Sequence, residues 1–103
     1  MKFLVLWRME LSLLSKEMAR AVGNMAAYGR SLEQAGEVLA RYHIVGAHGG
    51  AWIYQVTSHE EFERLLAQAP VFNYAHYEVL PLADMPADEV ALRDSTSGRA
   101  TGR

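Results

Sequence analysis

The sequence predicts a single α+β domain in which two helices cover one face of a four-stranded antiparallel sheet. Three observations carry this. Four short runs alternate apolar and polar residues at strand period, and two stretches that open on serine repeat apolar residues at helical spacing. The order in which they come is β-α-β-β-α-β, the split βαβ pattern of the ferredoxin-like fold, and right-handed crossovers put both helices on the same side.

The first strand is "KFLVLWRME", residues 2–10, with Phe3, Val5, Trp7 and Met9 on one face and Lys2, Leu4, Leu6, Arg8 and Glu10 on the other. Ser15 then suits a helix N-cap, and Glu17 complements the helix dipole. Met18, Val22, Met25, Gly29 and Leu32 recur at helical spacing, and Gly36 is a natural stop. Gly29 lies on the buried stripe, where a missing side chain permits close approach to the sheet. Residues 37–46 and 51–57 read as two strands joined by "AHGG", with Gly49 and Gly50 as the hairpin signal. "SHEE" at 58–61 is a capping box that opens a short helix burying Phe62, Leu65, Leu66 and Ala69 and ending at Pro70. The last strand covers 73–81. Residues 1–85 thus form the domain and 86–103 a tail. Within the tail, "ADEVALRD" offers one or two helical turns, and "STSGRATGR" has nothing to bury and is expected to be disordered.

Bulk composition narrows the function. With 103 residues the chain can bury one core without staples, and with no cysteine it has neither disulfides nor a thiolate metal site. Ten basic against twelve acidic residues, a net charge of −2, give no footprint for nucleic acid. Arg8 and Glu10 cut short the apolar opening, so it reads neither as a signal peptide nor as a membrane span. The expectation is a soluble, cytoplasmic protein with no nucleic-acid or membrane partner.

Alternation assigns the faces. Phe3, Val5, Trp7 and Met9, then Val38, Ala40, Tyr42 and Ile44, then Trp52, Tyr54 and Val56, then Ala75, Tyr77 and Val79 are expected under the helices. The opposite face then holds Leu4, Leu6 and Arg8; Leu39, Arg41, His43 and Val45; Ile53 and Gln55; Tyr74, His76, Glu78 and Leu80. Such a mixture of leucines and ionisable groups is a poor solvent face. Two copies packed sheet to sheet would enclose it as a cavity, so a homodimer or higher homo-oligomer is expected.

The stretch 44–82, "IVGAHGGAWIYQVTSHEEFERLLAQAPVFNYAHYEVLPL", resembles the muconolactone delta-isomerase family. The resemblance rests on the glycine turn, the strand running into "VTSHEEFERLL", and Pro70, Phe72, Tyr74, Glu78 and Val79. It implies a dimeric α+β barrel and cofactor-free isomerisation of an unsaturated lactone by moving a proton. Family members are similar in carrying charged residues in the second half of the first helix. Here Gly23 to Gly29 is uncharged, which points to a different substrate, such as a polyketide-like natural-product intermediate that is isomerised, dehydrated or cyclised. A cofactor-free monooxygenase and a non-catalytic binder of small ligands are the alternatives.

Proton transfer wants a group that titrates near neutral pH in a dry pocket. His76 and Glu78 share one face of the last strand, with Arg8 or Leu6 as a neighbour on the first, and are the leading catalytic candidates together with His43. Arg41, Arg8, Gln55 and Tyr74 are the candidate substrate-binding residues. In this scheme Arg41 holds a carboxylate or enolate oxygen and Gln55 orients His43. His43 and His76 come out roughly 14 Å apart across three strand spacings, which disfavours a metal triad of His43, His76 and Glu78. No metal or cofactor is expected. His48 and His59 read as surface residues, and Trp7, Trp52 and Tyr54 as packing.

Overall fold

A computed structural model describes residues 1–86. Its elements run β1 (Lys2–Met9), α1 (Lys16–Gln34), β2 (Val38–His43), β3 (Gly49–Gln55), α2 (His59–Gln68) and β4 (Ala75–Leu82), with short 3₁₀ turns at Leu11–Leu13 and Phe72–Tyr74. The strands form one antiparallel sheet in the order β2-β3-β1-β4. This is the expected α+β architecture. The expectations for "ADEVALRD" and for the polar tail lie outside the described residues.

The helix boundaries follow from capping chemistry. Ser15 Oγ accepts from the Met18 amide at 3.0 Å. At the other end Gly36 takes φ +79°, the Glu37 amide reaches back to Leu32 O at 2.9 Å and the Gly36 amide to Glu33 O at 3.1 Å. That pair is the Schellman closure, which needs a residue tolerant of positive φ. Ser58 Oγ caps α2 through the Glu61 amide at 3.0 Å. The capping box is displaced by one residue, because the Glu61 carboxylate accepts from the Thr57 amide at 2.7 Å.

The core lies between the helices and the sheet. Val5 is fully buried, and Phe3, Trp7, Trp52, Tyr54 and Val56 from the strands meet Met18, Met25, Leu32, Phe62 and Leu65 from the helices. Phe3 stacks on Phe62 at 4.2 Å between ring centroids.

Two strand assignments need correction. The turn between β2 and β3 is made by Gly46, at φ +81°, and Gly49 and Gly50 lie within β3. Gly49 is there because a Cβ would stand 1.8 Å from Trp7 O, so only glycine lets β3 approach β1 at that point. The second correction moves a whole face. The register slips between Val38 and Ala40, so that Val38 pairs with Tyr54 but Ala40 with Ile53. The extra residue is a bulge, and beyond it every side chain of β2 changes sides. Arg41 therefore pairs with Trp52 and His43 with Gly50, on the helix face. Tyr42, expected in the core, is 62% exposed.

Candidate active site

On the helix side, α1 and the end of the sheet leave a cleft of about 640 Å³. Trp7 and Met9 of β1, Met18 and Val22 of α1, and His43 and His48 flank it. Beside it lies a smaller space of about 290 Å³ bounded by Trp7, Val22, Met25, Arg41, His43 and Trp52. Trp7, Val22 and His43 belong to both.

Each polar group here has a structural reason for its place. The bulge at the start of β2 puts Arg41 and His43 on the helix face, Arg41 half-buried and His43 exposed at the end of the strand. Gly29 of α1 makes room for the arginine, since a Cβ at that position would lie 2.4 Å from Arg41 Nη1 and 2.7 Å from its Cδ. Close approach at Gly29 was expected from the sequence, and the group that approaches is this side chain. Arg41 Nη2 donates to Glu33 Oε1 at 3.0 Å, and its guanidinium carbon lies 5.5 Å from the Trp52 ring centroid. Gly50 opens a second gap, because a Cβ there would meet Trp7 Nε1 at 2.8 Å and Trp52 Nε1 at 3.1 Å. Two indole N–H edges thus converge on Gly50, the cross-strand partner of His43. Trp7 Nε1 and Arg41 Nε are buried with no acceptor among the described residues.

The other candidates lie elsewhere. His76 pairs with Arg8, and Glu78 with Leu6, on the opposite face as expected. There, among the described residues, they border a depression of about 160 Å³. The His76 side chain is 74% exposed, and its Nε2 lies 2.7 Å from Glu10 Oε1. Hydrogen bonds from Ser12 and then from His76 hold the Glu10 carboxyl down at about 2. Tyr74 leaves that face altogether, because the chain makes a 3₁₀ turn at Phe72–Tyr74 before β4 begins and packs Tyr74 against the core. Gln55 is at the far end of β3 from His43, opposite Lys2, and cannot orient the imidazole. Within one chain His43 and His76 occupy opposite edges and opposite faces of the sheet, so the structure brings together Arg41 and His43 but not His43, His76 and Glu78.

Sequence reasoning missed Trp7, Trp52 and His48 as cleft residues. The two tryptophans are core residues as well, only 7% and 4% exposed, and their pattern reports that role alone. His48 carries no periodic signal because it sits in a turn.

Residues 1–88 match the family model for muconolactone delta-isomerase. The chain belongs to the muconolactone delta-isomerase family. A muconolactone delta-isomerase of Cupriavidus pinatubonensis is 36% identical over 61 residues, 59% of this chain and 66% of that protein, just under two thirds of its length. A muconolactone delta-isomerase 1 of Acinetobacter lwoffii is 31% identical over 71 residues, 69% of this chain and 71% of that protein. In fold, the crystal structure of muconolactone isomerase superposes with a TM-score of 0.73 at 21% identity, over 84% of this chain and 93% of that one. A 5-chloro-2-hydroxyhydroquinone dehydrochlorinase from Burkholderia phenoliruptrix AC1100, solved with 2,5-dihydroxybenzoquinone, superposes at 0.60 with 16% identity, over 81% and 94% of the two chains. Among the described residues no helix is long and apolar enough to cross a membrane.

Proposed function

We propose that this protein is a cofactor-independent isomerase that moves a proton on a small unsaturated oxygenated acid or lactone, and that the reaction takes place in the cleft between α1 and the sheet. The observation that carries the reading is the pairing of Arg41 with His43 at one cleft wall. An imidazole can take and return a proton near neutral pH. A guanidinium offers fixed donors to a carboxylate or to an oxygen that gains charge.

In this scheme His43 removes a proton from a carbon conjugated with the substrate carbonyl. The C–H electron pair moves into the conjugated system, and negative charge develops on the carbonyl oxygen. Arg41 stabilises that oxygen, worth most where water is excluded. The imidazolium then returns the proton at the other end of the system, so the double bond shifts with no change in composition. The names of the relatives support the reaction class.

The test uses muconolactone, the compound in those names, in D₂O. Wild-type protein is expected to exchange deuterium into the lactone as it isomerises. His43→Ala should lower kcat by about two orders of magnitude or more, the usual scale for a general acid or base. Arg41→Gln should act mainly on KM, and His76→Ala should leave turnover near wild type. Equal turnover in wild type and His43→Ala would refute the assignment.

A further inference from the structure

The two adjoining spaces differ in chemistry. The smaller, about 290 Å³, holds Arg41, His43 and both tryptophans. The larger, about 640 Å³, is walled by Met9, Leu11, Leu14, Met18 and Ala19, and among the described residues the ionisable side chains on it are His43 and His48. Small-molecule pockets run from roughly 300 to 1,000 Å³. The polar chamber by itself therefore accommodates a single-ring acid or lactone, and the apolar chamber is extra volume that such a molecule would leave unused.

The walls of that chamber also stand partly in water. Leu14 is 72% exposed and Leu11 54%, on a short 3₁₀ turn that the Glu10 side chain holds through Ser12. Removing apolar surface of this kind from water favours a ligand that brings an apolar body to cover it.

Resting on the proton-transfer reading above, we propose that the substrate is amphipathic and larger than one ring. Its acidic or enolic oxygen sits with Arg41 and His43, and a second fused ring, or an apolar body of similar size, fills the chamber under Leu11, Leu14, Met18 and Ala19. Val22 and Trp7, which border both chambers, mark the boundary that the molecule spans.

The test is calorimetric binding of benzoate, 2-naphthoate and anthracene-2-carboxylate to the full chain. Kd is expected to fall at least tenfold from benzoate to 2-naphthoate. Ala19 is an exposed helix residue, so Ala19→Trp should fold and, by filling the apolar chamber, should flatten that gradient. Arg41→Gln should weaken all three acids by a similar factor and keep the gradient. Benzoate and 2-naphthoate binding equally, or a gradient that survives Ala19→Trp, would overturn the assignment of the apolar chamber and leave the proton-transfer reading standing. Affinities for all three acids left unchanged by Arg41→Gln would overturn the placement of the acidic end, and with it the role given to Arg41 above.

Discussion

Gly29 and Arg41 show how one missing side chain sets a guanidinium in place. The guanidinium lies where a Cβ at residue 29 would be, and from there it reaches Glu33 and the face of Trp52. Gly29→Ala is therefore expected to push out the flexible end of Arg41 without disturbing the backbone. Alanine gains up to about 1 kcal/mol of helix propensity over glycine, which offsets the lost ion pair, so Tm should barely change. Affinity for an anionic ligand should fall several-fold. A melting curve beside a benzoate titration separates the two effects, and a large loss of Tm with affinity intact would contradict this role for Gly29. Arg41 was legible in the sequence as an oxygen-binding candidate. Its face was not, because alternation assigns sides only while the register is unbroken. The bulge after Val38 contains no glycine or proline to announce it.

At the level of elements, the four strands, both helices and their serine caps could be read from periodicity and capping chemistry, since each signal is local. The turns were harder to place: "AHGG" holds two glycines that serve close strand approach, while Gly46 alone supplies the positive φ. The 3₁₀ turn at Leu11–Leu13 was invisible for a different reason. It is held by a side chain, with Glu10 Oε2 accepting from Ser12 Oγ at 2.7 Å while Oε1 pairs with His76. Glu10 has a folded-state pKa of about 2 against an ordinary 4.5. Its contribution is thus complete above the ordinary value and lost as pH falls toward about 2. Wild-type protein should lose stability over that interval, and Glu10→Gln should lack that component of the acid transition. Acid unfolding curves of the two proteins, followed by circular dichroism, check this, and parallel curves would contradict it. At neutral pH the same variant should loosen Leu11 and Leu14 over the cleft.

For the whole molecule, the sheet face away from the helices presents Leu80 and Leu82, both 40% exposed, with Leu4, Leu6 and Ile53 half-buried beside them. We propose that a second copy covers this face, as the resemblance implied. Light scattering at micromolar concentration should give at least twice the mass of one chain, and a one-chain mass would refute it. Arg8, His76 and Glu78 then belong to the assembly face, and the helix-side cleft is left for chemistry. The most direct test of that division is an NMR titration that follows the histidine imidazoles as benzoate is added. His43 and the Trp7 indole N–H should shift with a common Kd while His76 stays still. Shifts at His76 with His43 unmoved would place the ligand on the other face of the sheet and contradict the central claim.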